Sequence, residues 1–257
     1  MVSSGLADVA LVSQPDVLMA RNAEMPVVSI AAVIRQPMRY LVMPKSSPVH
    51  YPRNLEGARV GYARQALGEA IVRTMLDDDD ADQQLVSFAN VGWSYADAFQ
   101  KSEVSAIVGP TLYHDRLKLE EDGIEVREIE PMLYGVPIYY ETVVAADETK
   151  VTENPGYYIS LWEAMAEGQA YVQTHPNDAV RLVLNRQVGY APISWDIAAE
   201  SLKFLLPFMN AGDEPFGYQE EDVWSDAASW LTDVEAIDAS LDSESAYLHL
   251  EDLVPEE

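Results

Sequence analysis

The sequence contains no cysteine, and it is poor in cations. The absence of cysteine excludes disulfide frameworks, thiolate zinc sites, iron–sulfur clusters and catalytic thiols. No run approaches the roughly 18 consecutive apolar residues that a membrane-spanning helix requires. Only 16 Lys and Arg residues stand against 43 Asp and Glu residues, which gives a formal net charge of -27. Because this charge repels phosphate backbones and anionic lipids, neither a nucleic acid nor a membrane surface is a predicted partner.

The acidic excess also suggests a habitat. At high salt, charges are screened over a few ångströms, so the self-repulsion of an acidic chain no longer loosens the fold. The composition therefore favours a halophilic source, and the alternative is a moderately acidic mesophilic protein. With 257 residues, of which 48% are hydrophobic, the chain has material for a substantial core. It is expected to be globular, with one large domain or two lobes.

The first residues do not resemble a targeting signal. Residues 1–12 have no basic segment and no cleavage site, so they do not form a signal peptide as they stand. A hydrophobic strand is predicted at residues 7–12, almost at the first residue. We therefore expect the chain to begin inside a fold.

Short segments rich in β-branched and aromatic residues alternate with helical periodicity through the first 146 residues. Such alternation is typical of βαβ units and predicts mainly parallel sheets. The predicted strands span residues 7–12, 26–34, 39–44, 58–63, 84–91, 105–110, 124–130 and 138–146. The predicted helices between them span residues 13–22, 66–76, 94–102 and 111–121.

From about residue 153 the pattern changes to successive helices. Asn154 is a candidate cap for the free N–H groups of one helix, and Pro155 suits the first helical position, where a missing N–H costs nothing. The triplet His175-Pro176-Asn177 predicts the start of the next helix. The acidic run Asp77–Asp80 is interpreted as a helix end or turn.

No motif specifies a reaction. The four histidines, at positions 50, 114, 175 and 249, are far apart and lack the spacing of a zinc motif, so we expect surface or helix-capping roles for them. A nucleophile elbow and a phosphate-binding glycine loop are also missing. The sequence therefore predicts no catalytic residue, no metal and no cofactor.

Several strand-to-helix junctions are rich in small, polar and aromatic residues. In open α/β sheets, ligands bind beyond the carboxyl ends of strands, where helix N-termini present free N–H donors. Four such junctions could line one cleft, although glycine and serine there could equally serve tight turns. They are residues 12–16, 61–64, 90–94 and 109–111.

A fifth segment, residues 131–141, joins two predicted strands and carries aromatic side chains that could stack on a flat ring. Glu141 could accept hydrogen bonds from an aminopyrimidine. Tyr139 and Tyr140 would alternate across a half-buried strand, so we expect one of the two to be structural and one at most to contact a ligand.

The order of these motifs resembles the solute-binding proteins of ABC importers in the family related to thiamine-pyrimidine-precursor synthases. The similarity extends over nearly the whole chain. It is carried by Ser4-Gly5-Leu6-Ala7-Asp8-Val9, Gln14-Pro15-Asp16, Ala20-Arg21, Pro26-Val27-Val28, Asn54 through Tyr62, Asn90-Val91-Gly92, Tyr134-Gly135-Val136-Pro137, Asn154-Pro155, Gly217-Tyr218 and Trp224.

The resemblance implies an α/β fold of the two-lobed periplasmic-binding-protein type II, a clamshell with two crossover strands. Residues 1–44 and 138–257 would form the first lobe, and residues 45–137 the second. Ligand capture would be a hinge closure, since a ligand that contacts both lobes only in the closed state shifts the population towards it. Members of the family normally have a secretion signal, two strands and two helices before the segment that matches Gly5-Leu6-Ala7-Asp8. The first lobe is thus expected to be incomplete at its N-terminus, with unpaired strand edges.

The resemblance further implies a solute-binding component of an ABC importer, with a small-molecule solute and the permease and ATPase subunits as partners. Its location would be periplasmic or at the cell surface if the natural protein carries an upstream signal. The favoured solute is a heterocycle such as a thiamine pyrimidine precursor, and an alkanesulfonate or riboflavin stays open. An enzyme of the same fold, a pyrimidine-precursor synthase, is the alternative, but its reaction is expected to need a cysteine-rich run that this chain lacks.

Five residues are predicted to contact the ligand, because each lies at the end of a predicted strand or at the returning crossover: Gln14, Tyr62, Asn90, Gly109 and Glu141. A sulfonate would require cations, and only Arg35 and Arg64 are expected near the cleft.

Overall fold

The computed structural model describes residues 1–186 and 193–253. Its strands are β1 (Val9–Val12), β2 (Val27–Ile34), β3 (Arg39–Pro44), β4 (Arg59–Tyr62), β5 (Ser87–Asn90), β6 (Ala106–Thr111), β7 (Val126–Ile129) and β8 (Thr142–Asp147). Its α-helices are α1 (Gln14–Asn22), α2 (Gln65–Asp78), α3 (Tyr95–Gln100), α4 (Asp115–Glu121), α5 (Glu148–Glu153), α6 (Pro155–Thr174), α7 (Pro176–Asn185), α8 (Trp195–Leu205) and α9 (Glu221–Asp233). All eight predicted strands are confirmed, most of them shorter than predicted. No helix in the described ranges is long and apolar enough to cross a membrane.

The chain forms two compact units. Unit 1 comprises residues 1–37 together with the chain from residue 138 onward, and unit 2 comprises residues 38–137. β3, which the sequence analysis assigned to the first lobe, lies within unit 2. The domain boundaries after residues 44 and 137 stay a prediction.

The sheet of unit 1 has the strand order β1-β8-β2, and β8 is antiparallel to both neighbours. β1 and β2 are therefore parallel to each other, and α1 connects them. Seven of the eight residues of β2 are buried, as its unbroken apolar sequence indicates. The core beside it includes Val28, Ile30, Val144 and Tyr158, the last from α6.

The sheet of unit 2 has the order β5-β4-β6-β3-β7. β4 is parallel to β5 and β6, whereas β3 is antiparallel to β6 and β7. The prediction of mainly parallel sheets was therefore wrong. Helical crossovers connect β4, β5 and β6 and make them parallel. In the part of the chain that the structure describes, no crossover helix connects β3 or β8 to a neighbouring strand, so β3 and β8 are antiparallel to their neighbours.

Two helix starts differ in detail from their predictions. Asn154 is the N-cap residue of α6, but its side chain makes no capping hydrogen bond. Its carbonyl oxygen instead accepts a hydrogen bond from the N–H of Tyr157 at 3.2 Å. α4 begins at Asp115 rather than at residue 111, because Thr111 ends β6 and its hydroxyl donates to the Asp115 carboxylate at 2.9 Å. The predicted starts at Pro155 and Pro176 are confirmed.

Candidate functional site

Three predicted ligand residues lie together at one edge of the unit 2 sheet. Tyr62 ends β4 and Asn90 ends β5, and these two residues are in register. Tyr62 is also in register with Val108 of β6, so Gly109 follows at the same edge. The three residues lie together because β4, β5 and β6 are parallel, so the carboxyl ends of these strands meet at one edge of the sheet.

The three residues differ in what they present. The Tyr62 side chain is largely buried, whereas Asn90 is exposed. The carboxamide oxygen of Asn90 accepts the N–H of Gly92 at 2.9 Å, which closes the turn after β5. Gly109 has a φ of +112°, and no atom lies within 4 Å of the position that a Cβ would occupy there. The edge is therefore open above Gly109.

A pocket lies beside Gly109, within unit 2. Its empty space, which includes open solvent, is about 250 Å³. Tyr95, the first residue of α3, lines it and is only 4% exposed. Burial raises the pKa of Tyr95, the Asp115 carboxylate raises it further, and the Arg39 guanidinium opposes the shift. The lining residues are Arg39, Ala63, Arg64, Leu67, Gly68, Ile71, Tyr95, Val108 and Gly109.

Gln14 lies in the interior of unit 1 and not at an open edge, which corrects its predicted position. Its amide NH₂ donates to the carbonyl of Val223 at 3.0 Å, and its amide oxygen accepts the N–H of Tyr140 at 2.8 Å. The backbone N–H of Gln14 also donates to the carbonyl of Tyr140 at 3.0 Å. Gln14 is fully buried. Its hydrogen bonds connect α1 with α9 and with the segment before β8.

The segment before β8 is not a strand, since β8 begins at Thr142. Tyr139 and Tyr140 are both fully buried, so the structure leaves neither ring exposed as a ligand contact. Tyr139 stacks on Trp230 with ring centroids 5.9 Å apart, and the Tyr140 hydroxyl accepts the N–H of Glu220 at 2.8 Å. Glu141 is 4% exposed.

Arg35 serves unit 1 internally. Its guanidinium donates to the carbonyl of Tyr218 and to the carboxylate of Glu220, both at 2.6 Å, and lies 5.1 Å from the Tyr140 ring centroid. The Arg35 side chain is 11% exposed. Arg35 was expected to be a cation at the ligand cleft. In the structure it instead positions Tyr140 and the chain before α9.

The structure does not bring the four histidines together. Among the described residues, no group of three or more His, Asp or Glu side chains is arranged to hold a metal ion. His50 contacts the Arg127 guanidinium, His175 stacks on Tyr171, and His249 packs between Tyr218 and Tyr247. His114 is the N-cap residue of α4.

Among the polar side chains that line the pocket in unit 2, sequence reasoning missed Arg39 and Tyr95. Tyr95 directly follows a predicted strand-to-helix junction, so the junction itself was the available signal. Arg39 starts β3 and came with no signal, because only the antiparallel insertion of β3 beside β6 places it near Thr111.

Comparisons with known proteins find relatives in sequence and in fold. The formylaminopyrimidine-binding protein of Halalkalibacterium halodurans is 29% identical over 98% of this chain and 77% of its own length. The periplasmic aliphatic sulphonate binding protein SsuA from Escherichia coli matches 96% of this chain and 77% of its own, with a TM-score of 0.73 and 12% sequence identity. The alkanesulfonate-binding protein SsuA from Xanthomonas axonopodis, bound to MOPS, matches 96% of this chain and 82% of its own, with a TM-score of 0.73 and 10% identity.

The two SsuA structures show that the fold is that of the two-lobed periplasmic binding proteins, as predicted. The profile of the family described as NMT1/THI5 like matches residues 1–179, which is more than half of the chain. On this match, the chain belongs to the NMT1/THI5-like family.

Proposed function

We infer that this protein is the solute-binding component of an ABC importer and that it captures a small nitrogen heterocycle related to the thiamine pyrimidine. The observation that carries the inference is the 29% identity to a formylaminopyrimidine-binding protein along 98% of the chain. The SsuA structures share the fold at lower identity.

The arrangement in unit 2 supports binding at the carboxyl ends of its parallel strands. Tyr62, Asn90 and Gly109 lie at one level of the sheet, where ligands of open α/β sheets are held. In unit 1, Glu141 is the proposed acceptor for an exocyclic amine. A carboxylate that accepts such a bond away from bulk water discriminates strongly between an amine donor and an acceptor.

The proposal is binding without turnover. The support is that the relative matched along 98% of the chain is named as a binding protein. The protein's proposed location is outside the cytoplasm, and its proposed partners are the permease and ATPase subunits.

Calorimetry tests the proposal directly. The protein is titrated with formylaminopyrimidine, with riboflavin and with propanesulfonate, and the recovered ligand is analysed by chromatography. We expect formylaminopyrimidine to bind and to be recovered unchanged. Chemical conversion of the ligand would contradict the binding role. Tight binding of propanesulfonate alone would show that the solute is a sulfonate and not a heterocycle.

A further inference from the structure

One aromatic side chain at the carboxyl edge of the unit 2 sheet is largely exposed to solvent. Trp93 follows the end of β5 by three residues and is 66% exposed, the largest exposed fraction among the described aromatic residues. Its sequence range, residues 38–137, contains no second tryptophan. An indole ring has a large apolar surface, so a ligand that covers Trp93 gains free energy by removing that surface from water.

Hydrogen bonds of the backbone place Trp93 beside the ends of the parallel strands. The N–H of Val91 donates to the carbonyl of Tyr62 at 2.9 Å, and the N–H of Gly92 donates to the carboxamide oxygen of Asn90 at 2.9 Å. β5 is the last strand at its side of the sheet, and Asn90 is in register with Tyr62. The chain therefore reaches Trp93 at the edge where open α/β sheets hold their ligands.

A buried aromatic ring supports Trp93 from one side. The ring centroids of Trp93 and Tyr95 are 6.2 Å apart, and the two ring planes are tilted by 60°. Tyr95 is 4% exposed and packs in the core of unit 2 with Phe99, Ile107 and Leu119. Tilted contacts between aromatic rings are favourable, and a ring that is already held loses less conformational entropy when a ligand binds.

The groups at this position suit a flat nitrogen heterocycle. Aromatic side chains stack on the bases of nucleic acids, and this contact tolerates different substituents because every base has a π-face. A pyrimidine ring has the same kind of face. The Asn90 carboxamide oxygen accepts the Gly92 N–H, which leaves the NH₂ group as the donor that Asn90 offers to a ring nitrogen.

We propose that the ring of the captured solute stacks on Trp93, which makes Trp93 a residue that selects aromatic over aliphatic solutes. Tyr95 is then a positioning residue that acts through Trp93. The inference rests on the proposed function, since it names a contact of the captured heterocycle. An aliphatic sulfonate has no π-face and gains less from this contact.

Calorimetry with formylaminopyrimidine tests the contact. Trp93→Ala should weaken binding by about 5- to 150-fold, which is the range found when a stacking aromatic residue is replaced by alanine. Trp93→Phe keeps a flat ring and should bind within about threefold of the natural chain. Trp195→Ala is the matched control, because Trp195 is an exposed tryptophan at the start of α8 in unit 1, and its loss should change affinity by less than about twofold. Thermal melts establish that each variant is folded.

Tryptophan fluorescence distinguishes direct contact from a structural role. A ring stacked on the indole changes its emission, so formylaminopyrimidine should change the fluorescence of the natural chain. Trp93→Phe should still bind the ligand in calorimetry but no longer show this change. Trp195→Phe should bind and retain it.

Two substitutions test the positioning role of Tyr95. Tyr95→Phe keeps the ring and removes a hydroxyl that has no hydrogen-bond partner among the described residues, so affinity should stay within about twofold. Tyr95→Ala removes the support of Trp93 and should weaken binding by about threefold or more. In the Trp93→Ala background, Tyr95→Ala should have no further effect, because the residue through which it acts is gone.

The outcomes separate this contact from the function on which it rests. If formylaminopyrimidine binds the natural chain and Trp93→Ala equally tightly, the stacking contact is wrong and the proposed function stands. A fluorescence change that persists in Trp93→Phe, or that disappears in Trp195→Phe, would also overturn the contact. If formylaminopyrimidine does not bind the folded natural chain, the proposed function fails and the contact fails with it.

Discussion

The hydroxyl of Ser29 donates to the side-chain oxygen of Gln219 at 2.5 Å, and both residues are fully buried although 190 positions separate them. The Gln219 amide NH₂ in turn donates to the carbonyl of Leu248 at 3.1 Å. The N–H of Leu248 donates to the carbonyl of Ser29 at 2.8 Å. This network attaches the C-terminal part of unit 1 to the middle of β2.

Gln219→Leu should destabilise the protein, because it removes the partner of the buried Ser29 hydroxyl and of the half-buried Leu248 carbonyl. We expect a loss of about 2–4 kcal/mol in the free energy of unfolding, measured by urea titration. Gln84→Leu is the control, since Gln84 is exposed and should change stability by less than about 0.5 kcal/mol. Equal effects of the two substitutions would remove the network as a source of stability.

Gly217→Ala should be strongly destabilising. Gly217 has a φ of +82°, and an added Cβ would lie 2.7 Å from the Cβ of Ala31 in β2. The left-handed backbone and the overlap together predict a cost above about 2 kcal/mol. Gly168→Ala, on the exposed side of α6 with no atom within 4 Å of the new Cβ, should stabilise by about 0.5–1 kcal/mol. Thermal melts of the two variants should therefore shift in opposite directions.

Glu141→Gln should weaken binding of an aminopyrimidine. The substitution keeps the side chain's shape, but it replaces a charge-assisted hydrogen bond and places an amide donor against a donor. Such a loss costs about 1.5–3 kcal/mol, which is roughly 10- to 100-fold in the dissociation constant. Calorimetry on the folded variant measures it, and a dissociation constant within about twofold of the original would exclude Glu141 from the site.

The stability of unit 1 should fall at alkaline pH through Tyr140. Burial raises the pKa of Tyr140 to about 12, so the folded state holds its proton above pH 10, where unfolded tyrosine releases it. The contribution is fully present below pH 10 and is lost between pH 10 and 12. At pH 11 the free energy of unfolding should be about 1.3 kcal/mol lower than at pH 8 because of this residue.

Tyr140→Phe isolates this effect. The variant should be less stable than the natural chain at pH 8, because the N–H of Glu220 loses its acceptor. The difference between the two proteins should then shrink by about 1.3 kcal/mol at pH 11. A constant difference across this range, in urea unfolding at each pH, would contradict the assignment.

Salt should stabilise the protein. At a net charge of -27, self-repulsion opposes the compact state, and screening shortens its range to about 3 Å at 1 M ionic strength. We expect the melting temperature to rise with NaCl from millimolar to molar concentrations. Glucose at equal osmolality is the control for solvent exclusion, and an equal rise in glucose would show that screening is not the cause.

The sequence by itself predicted the strands and the common edge at which three of the candidate ligand residues lie. β-branched runs bounded by Gly and Pro have one favourable backbone conformation, so all eight strands could be placed. Tyr62, Asn90 and Gly109 were recognisable because parallel strands joined by short helices must end at a common edge. These features depend on neighbours along the chain, and local pattern is sufficient for them.

Tertiary structure decided the rest, because it depends on contacts between residues far apart in sequence. Gln14 has the composition of a ligand residue, but its partners Tyr140 and Val223 lie 126 and 209 positions away and bury it. Arg35 is likewise taken up by Tyr218 and Glu220. Arg39 reaches the pocket of unit 2 only because β3 inserts in reverse between β6 and β7, and strand order of this kind is selected by burial and hydrogen bonding over the whole sheet rather than by any local signal.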